Sequence, residues 1–169
     1  MPEKETSSKD PNTRSVLSTQ DEVRQAVVKV AALAQRTMSI FTQDLEPGIY
    51  DQPQFLEVAK RLVLAKSFAR VRVLVADPMR AVREGHTLVT LGRRLTSFIE
   101  IRNVHKDYRD HDEAYLIADD RALVYRLVAK RWEGMADTDE RAVAKAYLNQ
   151  FDEIWHASAV EPEIRHLHV

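Results

Sequence analysis

The chain has 169 residues, enough for one domain with a substantial core. Its 44% apolar and 30% charged residues are ordinary for a soluble globular protein, and a net charge of −1 supplies no global field toward nucleic acid or an anionic membrane. Cysteine is absent, which excludes disulfides and thiolate metal sites, and with only four glycines no glycine-rich phosphate loop is expected.

Residues 1–17 are polar and aperiodic, and they are expected to form a disordered tail without the apolar segment of a secretory signal. No apolar run is long enough to span a bilayer, so a cytoplasmic location is expected. Residues 18–22 (STQDE) open the first helix, with Thr19 and Glu22 spaced as a capping box. Val23, Ala26, Val27, Val30 and Ala34 recur at helical spacing, and the helix is expected to end near Arg36. Residues 38–42 (MSIFT) read as a buried strand. Residues 43–52 (QDLEPGIYDQ) read as a loop. Pro53 sits in the first turn of the next helix, whose inner face is Phe55, Leu56, Ala59, Leu62 and Val63.

Residues 71–76 form a strand apolar on both faces, as in a parallel sheet, and Asp77-Pro78 stops it. Residues 78–84 make a short helical turn. Gly85-His86 then starts a helix with Leu88, Leu91 and Leu95 inside and Arg93 and Arg94 near its negative end. Phe98, Ile99 and Ile101 mark the next strand, and residues 103–113 a charged loop. Residues 114–118 and 122–126 are two strands joined by a tight Asp119-Asp120-Arg121 hairpin. Residues 130–134 (KRWEG) are expected as an edge strand. Asp137 with Glu140 caps a last helix carrying Val143, Tyr147, Phe151 and Ile154, which runs to about Ser158. Residues 161–169 form a second tail, leaving one domain over residues 18–160. The element order implies an α/β fold, a mixed, mostly parallel sheet sandwiched by helices.

Open α/β sheets bind ligands beyond the carboxyl ends of their strands. Asp44 and Tyr50 follow the first central strand, Asp77 and Arg80 the second, and Arg102 the third, while His86 starts a helix. These six are the candidate ligand-binding residues. A competing reading has the two aspartates bonding turn amides and pairing with arginines, and His86 serving structure. Arg70, Arg72, Arg80, Arg83, Arg93, Arg94 and Arg102, with Arg126, Lys130 and Arg131, could line a groove for phosphate or nucleic acid beside Trp132. The competing reading is an ion-paired surface, since acids are equally abundant. His166 and His168 lack a third ligand, so no metal and no cofactor is expected.

At residues 113–125 and 151–155 (FDEIW), within the β-α-β-α-β order, the chain resembles one half of the phospholipase D superfamily fold, over about residues 19–158. The resemblance implies a strand bearing H-x-K-x(4)-D, in which His is the nucleophile, Lys holds the phosphate oxygens and Asp supports the site. Aligning the aspartate to Asp119 puts Asp112 at the His position and Ala114 at the Lys position. Shifting by one gives His111 and Glu113, with Ala118 in place of Asp. Neither register keeps the trio, and Arg126-Leu127-Val128 stands where the family has Gly-Ser-Asn. The expectation is therefore a degenerate half-domain that binds or scaffolds without catalysis. It is expected to be a homodimer, because the family's site needs two halves. The weak catalytic candidates are His86, His111 and Asp119. The alternatives are a divergent hydrolase or transferase acting on a phosphoester, and a nucleic-acid-binding module. Similar proteins fall in uncharacterised bacterial families, some fused behind an N-acetyltransferase, which makes such an enzyme a candidate partner.

Overall fold

The structure, a computed structural model, describes residues 13–160. The expectations for residues 1–12 and 161–169, His166 and His168 included, lie outside the described residues. The elements are β1 (Arg14–Leu17), α1 (Gln20–Ala31), β2 (Thr37–Thr42), α2 (Pro47–Tyr50), α3 (Pro53–Ala65), β3 (Arg70–Val75), α4 (Met79–Glu84), α5 (Thr87–Arg94), β4 (Ile99–Asn103), β5 (Ala114–Ala118), β6 (Ala122–Arg126), β7 (Gly134–Asp137), α6 (Arg141–Ala157) and β8 (Ala159–Val160).

The strands form one 8-stranded sheet in the order β1-β7-β6-β5-β2-β3-β4-β8. β2, β3 and β4 are parallel, and every other neighbouring pair is antiparallel. The mixed α/β architecture expected from the periodicities is present, but the sheet is mostly antiparallel where a mostly parallel one was expected: two of its seven neighbouring pairs are parallel, because β5 to β7 follow one another through short connections. Alternate strand residues feed two cores. Ile40, Val73, Ile101, Leu116 and Val124 pack beneath α1, α3 and α5. Phe41, Leu74, Tyr115, Ile117 and Leu123 pack beneath α6, through Phe151, Ile154 and Trp155. β2 is buried from Met38 onward, because helices cover it on both faces. No helix among the described residues is long and apolar enough to cross a membrane.

The capping box of α1 forms as expected: the Glu22 amide donates to Thr19 Oγ1 at 3.1 Å and the Thr19 amide to Glu22 Oε1 at 3.2 Å. The helix ends at Ala31, short of Arg36, because the amides of Gln35, Arg36 and Thr37 all donate to the Asp119 carboxylate at 2.8–3.2 Å. Those bonds hold the β5–β6 turn, where Asp119 has φ 57°, against the start of β2.

Four further expectations need correction. Residues 14–17, read as tail, are the edge strand β1, held by pairing with β7. The 43–52 loop contains the single turn α2. The strand expected at residues 130–134 begins only at Gly134, where a Cβ would lie 2.5 Å from the Tyr125 carbonyl oxygen, so only glycine lets the strand start there. Asp137 ends that strand instead of capping α6, whose N-cap is Glu140.

Candidate functional site

The carboxyl ends of β2 and β3, the amino end of β5 and the carboxyl end of β6 lie along one sheet edge, because Phe41 pairs with Tyr115 and Ala114 with Arg126. The edge has two sides, one for each core.

On the side of α1 and α3, the chain leaves β2 through Leu45, a fully buried leucine at φ 63°. A left-handed leucine costs on the order of 1–3 kcal/mol and persists only where its surroundings fix it. Here the Leu45 amide donates to Thr42 Oγ1 at 3.2 Å, and its carbonyl accepts from His86 Nε2 at 2.8 Å. With Leu45 pinned in the core, Asp44 and Glu46 are presented in a groove of about 370 Å³ shared with Gln43, Arg80, Lys130 and Trp132. Asp44 accepts from Arg80 at 2.8 Å. Glu46 accepts from Arg126, which is 3% exposed, also donates to the carbonyls of Ala129 and Arg131, and stacks on Trp132 at 4.9 Å. Burial raises the Glu46 carboxyl above its usual range, more than Arg126 lowers it. Tyr50 is buried, and burial followed by the Glu46 charge raises its hydroxyl above the ordinary value.

His86 is not aimed into this groove. Its Nδ1 accepts from the Leu88 amide at 3.1 Å, capping α5, so Nε2 carries the proton given to Leu45. Burial lowers its basicity, opposed by the Leu45 hydrogen bond and by the charges of Asp51 and Asp44. Asp77 accepts from the Met79 amide at 3.2 Å, a turn bond of the kind aspartates favour. Arg102 lies on the other side of the sheet. It donates to Glu100 at 2.8 Å and to the Trp155 carbonyl at 2.8 Å, and lies over the Trp155 ring at 4.2 Å. The structure thus gathers Asp44, Tyr50, Arg80 and His86 around the β2–α2 elbow, and it leaves Asp77 in a neighbouring turn and Arg102 beside α6.

On the α6 side, His111 and Glu113 stand just before β5. His111 Nδ1 lies 3.4 Å from Glu113 Oε1. Glu113 Oε2 accepts from Gln150 Nε2 at 2.9 Å, and the same amide donates to the Tyr115 hydroxyl at 3.1 Å. Gln43 Nε2 donates to the carbonyls of His111 and Glu113, both at 3.0 Å, tying this segment to the end of β2. Phe41 stacks on Tyr115 at 5.2 Å, and Tyr147 packs on Tyr115 at 4.8 Å. Burial raises the Tyr115 hydroxyl, and the Glu113 charge adds to the shift. The cluster carries a carboxylate, whose charge opposes the approach of an anion. Asp119, at the far end of β5, lies on the opposite sheet edge.

The sequence pattern placed Tyr147 on the inner face of the last helix but did not single out Gln150. The signal was available, since Tyr147, Gln150 and Phe151 fall on one α6 face by their spacing of three and four. The cations of the supposed groove are spread over both sides, and four of the ten are paired with carboxylates among the described residues: Arg72 with Asp152 at 2.9 Å, Arg80 with Asp44 at 2.8 Å, Arg102 with Glu100 at 2.8 Å, and Arg126 with Glu46. No group of three or more His, Asp or Glu suited to a metal occurs among the described residues.

A family model described as a domain of unknown function (DUF7931) matches residues 19–167. No curated protein matches the chain. Among solved structures, the phospholipase D family member Nuc from Salmonella typhimurium is similar with a TM-score of 0.59 at 14% identity, covering 88% of this chain and 98% of that one. NucT from Helicobacter pylori is similar with a TM-score of 0.62 at 9% identity, covering 88% and 98%. TrmBL2, an archaeal chromatin protein with a novel mode of DNA binding, is similar with a TM-score of 0.66 at 12% identity, over 90% of this chain and 56% of that one. The chain therefore spans just over half of TrmBL2. At these identities the likeness is one of fold, and the fold is that of phospholipase D family members.

Proposed function

The chain belongs to the family of the domain of unknown function DUF7931, and from that premise we propose that it is a cytoplasmic, non-catalytic binding or scaffold domain of phospholipase D fold that acts as a homodimer. The observation that carries this reading is Glu113. In the register that puts His111 at the nucleophile position, Glu113, at the amino end of β5, stands where the resemblance requires lysine, and its carboxylate is held by Gln150 beside the His111 ring. A phosphodiester approaching His111 meets a negative charge where a positive one is needed to hold its oxygens. In the other register, anchored on Asp119, the lysine position is Ala114, and the Asp119 carboxylate is taken up by three backbone amides at the opposite edge.

The test is hydrolysis of bis(p-nitrophenyl) phosphate by the full chain. The expected rate equals that of buffer and is unchanged in His111→Ala. Turnover that disappears in His111→Ala would establish a divergent hydrolase and overturn this reading.

The likeness to TrmBL2 favours a second reading, a nucleic-acid-binding module. Against it stands the pairing of Arg72, Arg80, Arg102 and Arg126 with carboxylates, which leaves these cations little charge to offer phosphates. Fluorescence anisotropy with labelled duplex DNA separates the two. A nucleic-acid module binds with an affinity that falls steeply as salt rises. The scaffold reading expects no saturable binding.

A further inference from the structure

Three connections reach the sheet edge opposite the candidate site, where the parallel strands begin: residues 32–36 after α1, 66–69 after α3 and 95–98 after α5. Backbone bonds draw them together. The Arg70 amide donates to the Arg36 carbonyl at 2.9 Å, and the Val71 amide to the Phe98 carbonyl at 2.7 Å. Apolar side chains stand out to solvent here. Leu33 is 44% exposed, Phe68 52%, and Leu64, in the last turn of α3, 66%. One exposed leucine is ordinary, but three such side chains on adjoining segments make a patch. Cations surround it. Arg36 lies 5.2 Å and Lys66 5.9 Å from the centre of the Phe68 ring, and Arg70 lies 5.4 Å from that of Phe98. Lys60 and Arg61 are exposed on α3, one turn before Leu64. Among the described residues, none of these five cations is within ion-pair distance of a carboxylate, unlike the four arginines described above. Lys66 donates to the side-chain oxygen of Gln35, and Arg70 to the carbonyls of Ser67 and Ala69. The acids nearby offset little of this charge. Asp119 turns its carboxylate inward to the amides of Gln35, Arg36 and Thr37, Asp120 follows it in the turn, and Glu57 stands one turn further back on α3 than Arg61.

We propose that this edge is a peripheral contact for an anionic lipid surface, with Phe68, Leu64 and Leu33 entering the headgroup boundary and the five cations lying among the lipid phosphates. The exposed apolar side chains require a partner that removes them from water, and the cations require one that is negative. A lipid interface meets both requirements over one small area. Arginine and lysine suit that boundary, because their stems lie along apolar surface while their charged ends stay among polar groups. A nucleic acid would use the cations and stack its bases on a bare ring. Here the Phe68 ring already carries Arg36 and Lys66, and the two leucines have no part in such a contact. With a net charge of −1 the chain as a whole is not drawn to an anionic surface, so the attraction orients it with this edge leading. Three side chains make a shallow contact, so the attachment is reversible. The reading goes beyond the proposed function and depends neither on pairing of two copies nor on phosphodiester turnover.

The test is co-sedimentation of the full chain with vesicles of equal parts phosphatidylglycerol and phosphatidylcholine, set against vesicles of phosphatidylcholine alone. Wild type is expected to bind the anionic vesicles only, and less tightly as salt rises. Each cation near such a surface is worth about fivefold in binding, so Arg36→Glu with Lys66→Glu should weaken it by at least about 25-fold. Both side chains are exposed, so far-UV circular dichroism should not change. Phe68→Trp supplies a reading that needs no loss of charge. Its emission should gain a blue-shifted component on anionic vesicles that wild type, with Trp132 and Trp155, does not show. A folded wild type that ignores anionic vesicles overturns the proposal, and so does binding that survives the double charge reversal. Binding without an emission shift in Phe68→Trp overturns the insertion of the apolar patch. If vesicles are ignored while labelled duplex DNA binds and is released by the same charge reversal, the edge belongs to nucleic acid and the lipid assignment falls.

Discussion

His86 shows how a residue can look chemical in sequence and prove mechanical in the fold. Both ring nitrogens are engaged, one capping α5 and one holding the carbonyl of the strained Leu45. The sign of its pH dependence follows from burial. The folded state binds its proton less readily than the unfolded chain, whose ordinary value is 6.5, so stability is full above that value and is lost as pH falls through the lower folded value. Glu46 acts in the opposite sense, because its raised value makes stability fall as pH rises from its ordinary 4.5. The clean observable is therefore a difference. Urea unfolding from about pH 5 to about pH 8 should show an acid-side loss in wild type that is missing in His86→Gln, whose amide does not titrate and can still donate to the Leu45 carbonyl. Equal pH slopes in the two proteins would exclude the role. That Asp44 pairs with Arg80 and Asp77 holds a turn amide was legible in the residue types. That Arg102 would stack on Trp155, 53 residues away, was not, because the contact exists only once α6 lies on the sheet.

Among elements, the 127–133 segment is organised by one buried guanidinium. Arg126 at the end of β6 gathers the carbonyls of Ala129 and Arg131, the Trp132 ring and the Glu46 carboxylate. Arg126→Ala leaves the half-buried Glu46 without its cation and is expected to cost about 3 kcal/mol, whereas replacing both charges by apolar residues should cost clearly less. Equilibrium denaturation of Arg126→Ala and of Arg126→Met with Glu46→Leu measures the difference, and equal losses would mean that packing, not charge, dominates. The elements themselves were legible where contiguous apolar runs carried them, as in β2, β3, β5 and β6. β1 and β7 were not. RSVL and GMAD have little strand character of their own, and each becomes a strand because the other lies beside it.

For the molecule as a whole, the sheet is asymmetric: among the described residues, five α-helices lie on one face and α6 alone on the other. Its integrity at the edge opposite the candidate site depends on Asp119. Removing the carboxylate strands the amides of Gln35, Arg36 and Thr37, so Asp119→Ala should cost about 2 kcal/mol, measured as a shift in urea midpoint. A loss near zero would show that water replaces the carboxylate. The bonds it makes span 82–84 residues of chain. The β5–β6 hairpin looks like the most local piece of the fold, yet its turn closes on a contact among the most distant in sequence. Such a contact forms only after the intervening loop has been closed, and its entropy cost falls on a nearly complete structure. The clip is thus a late fastening: stopped-flow kinetics of Asp119→Ala should show faster unfolding at an almost unchanged rate of folding.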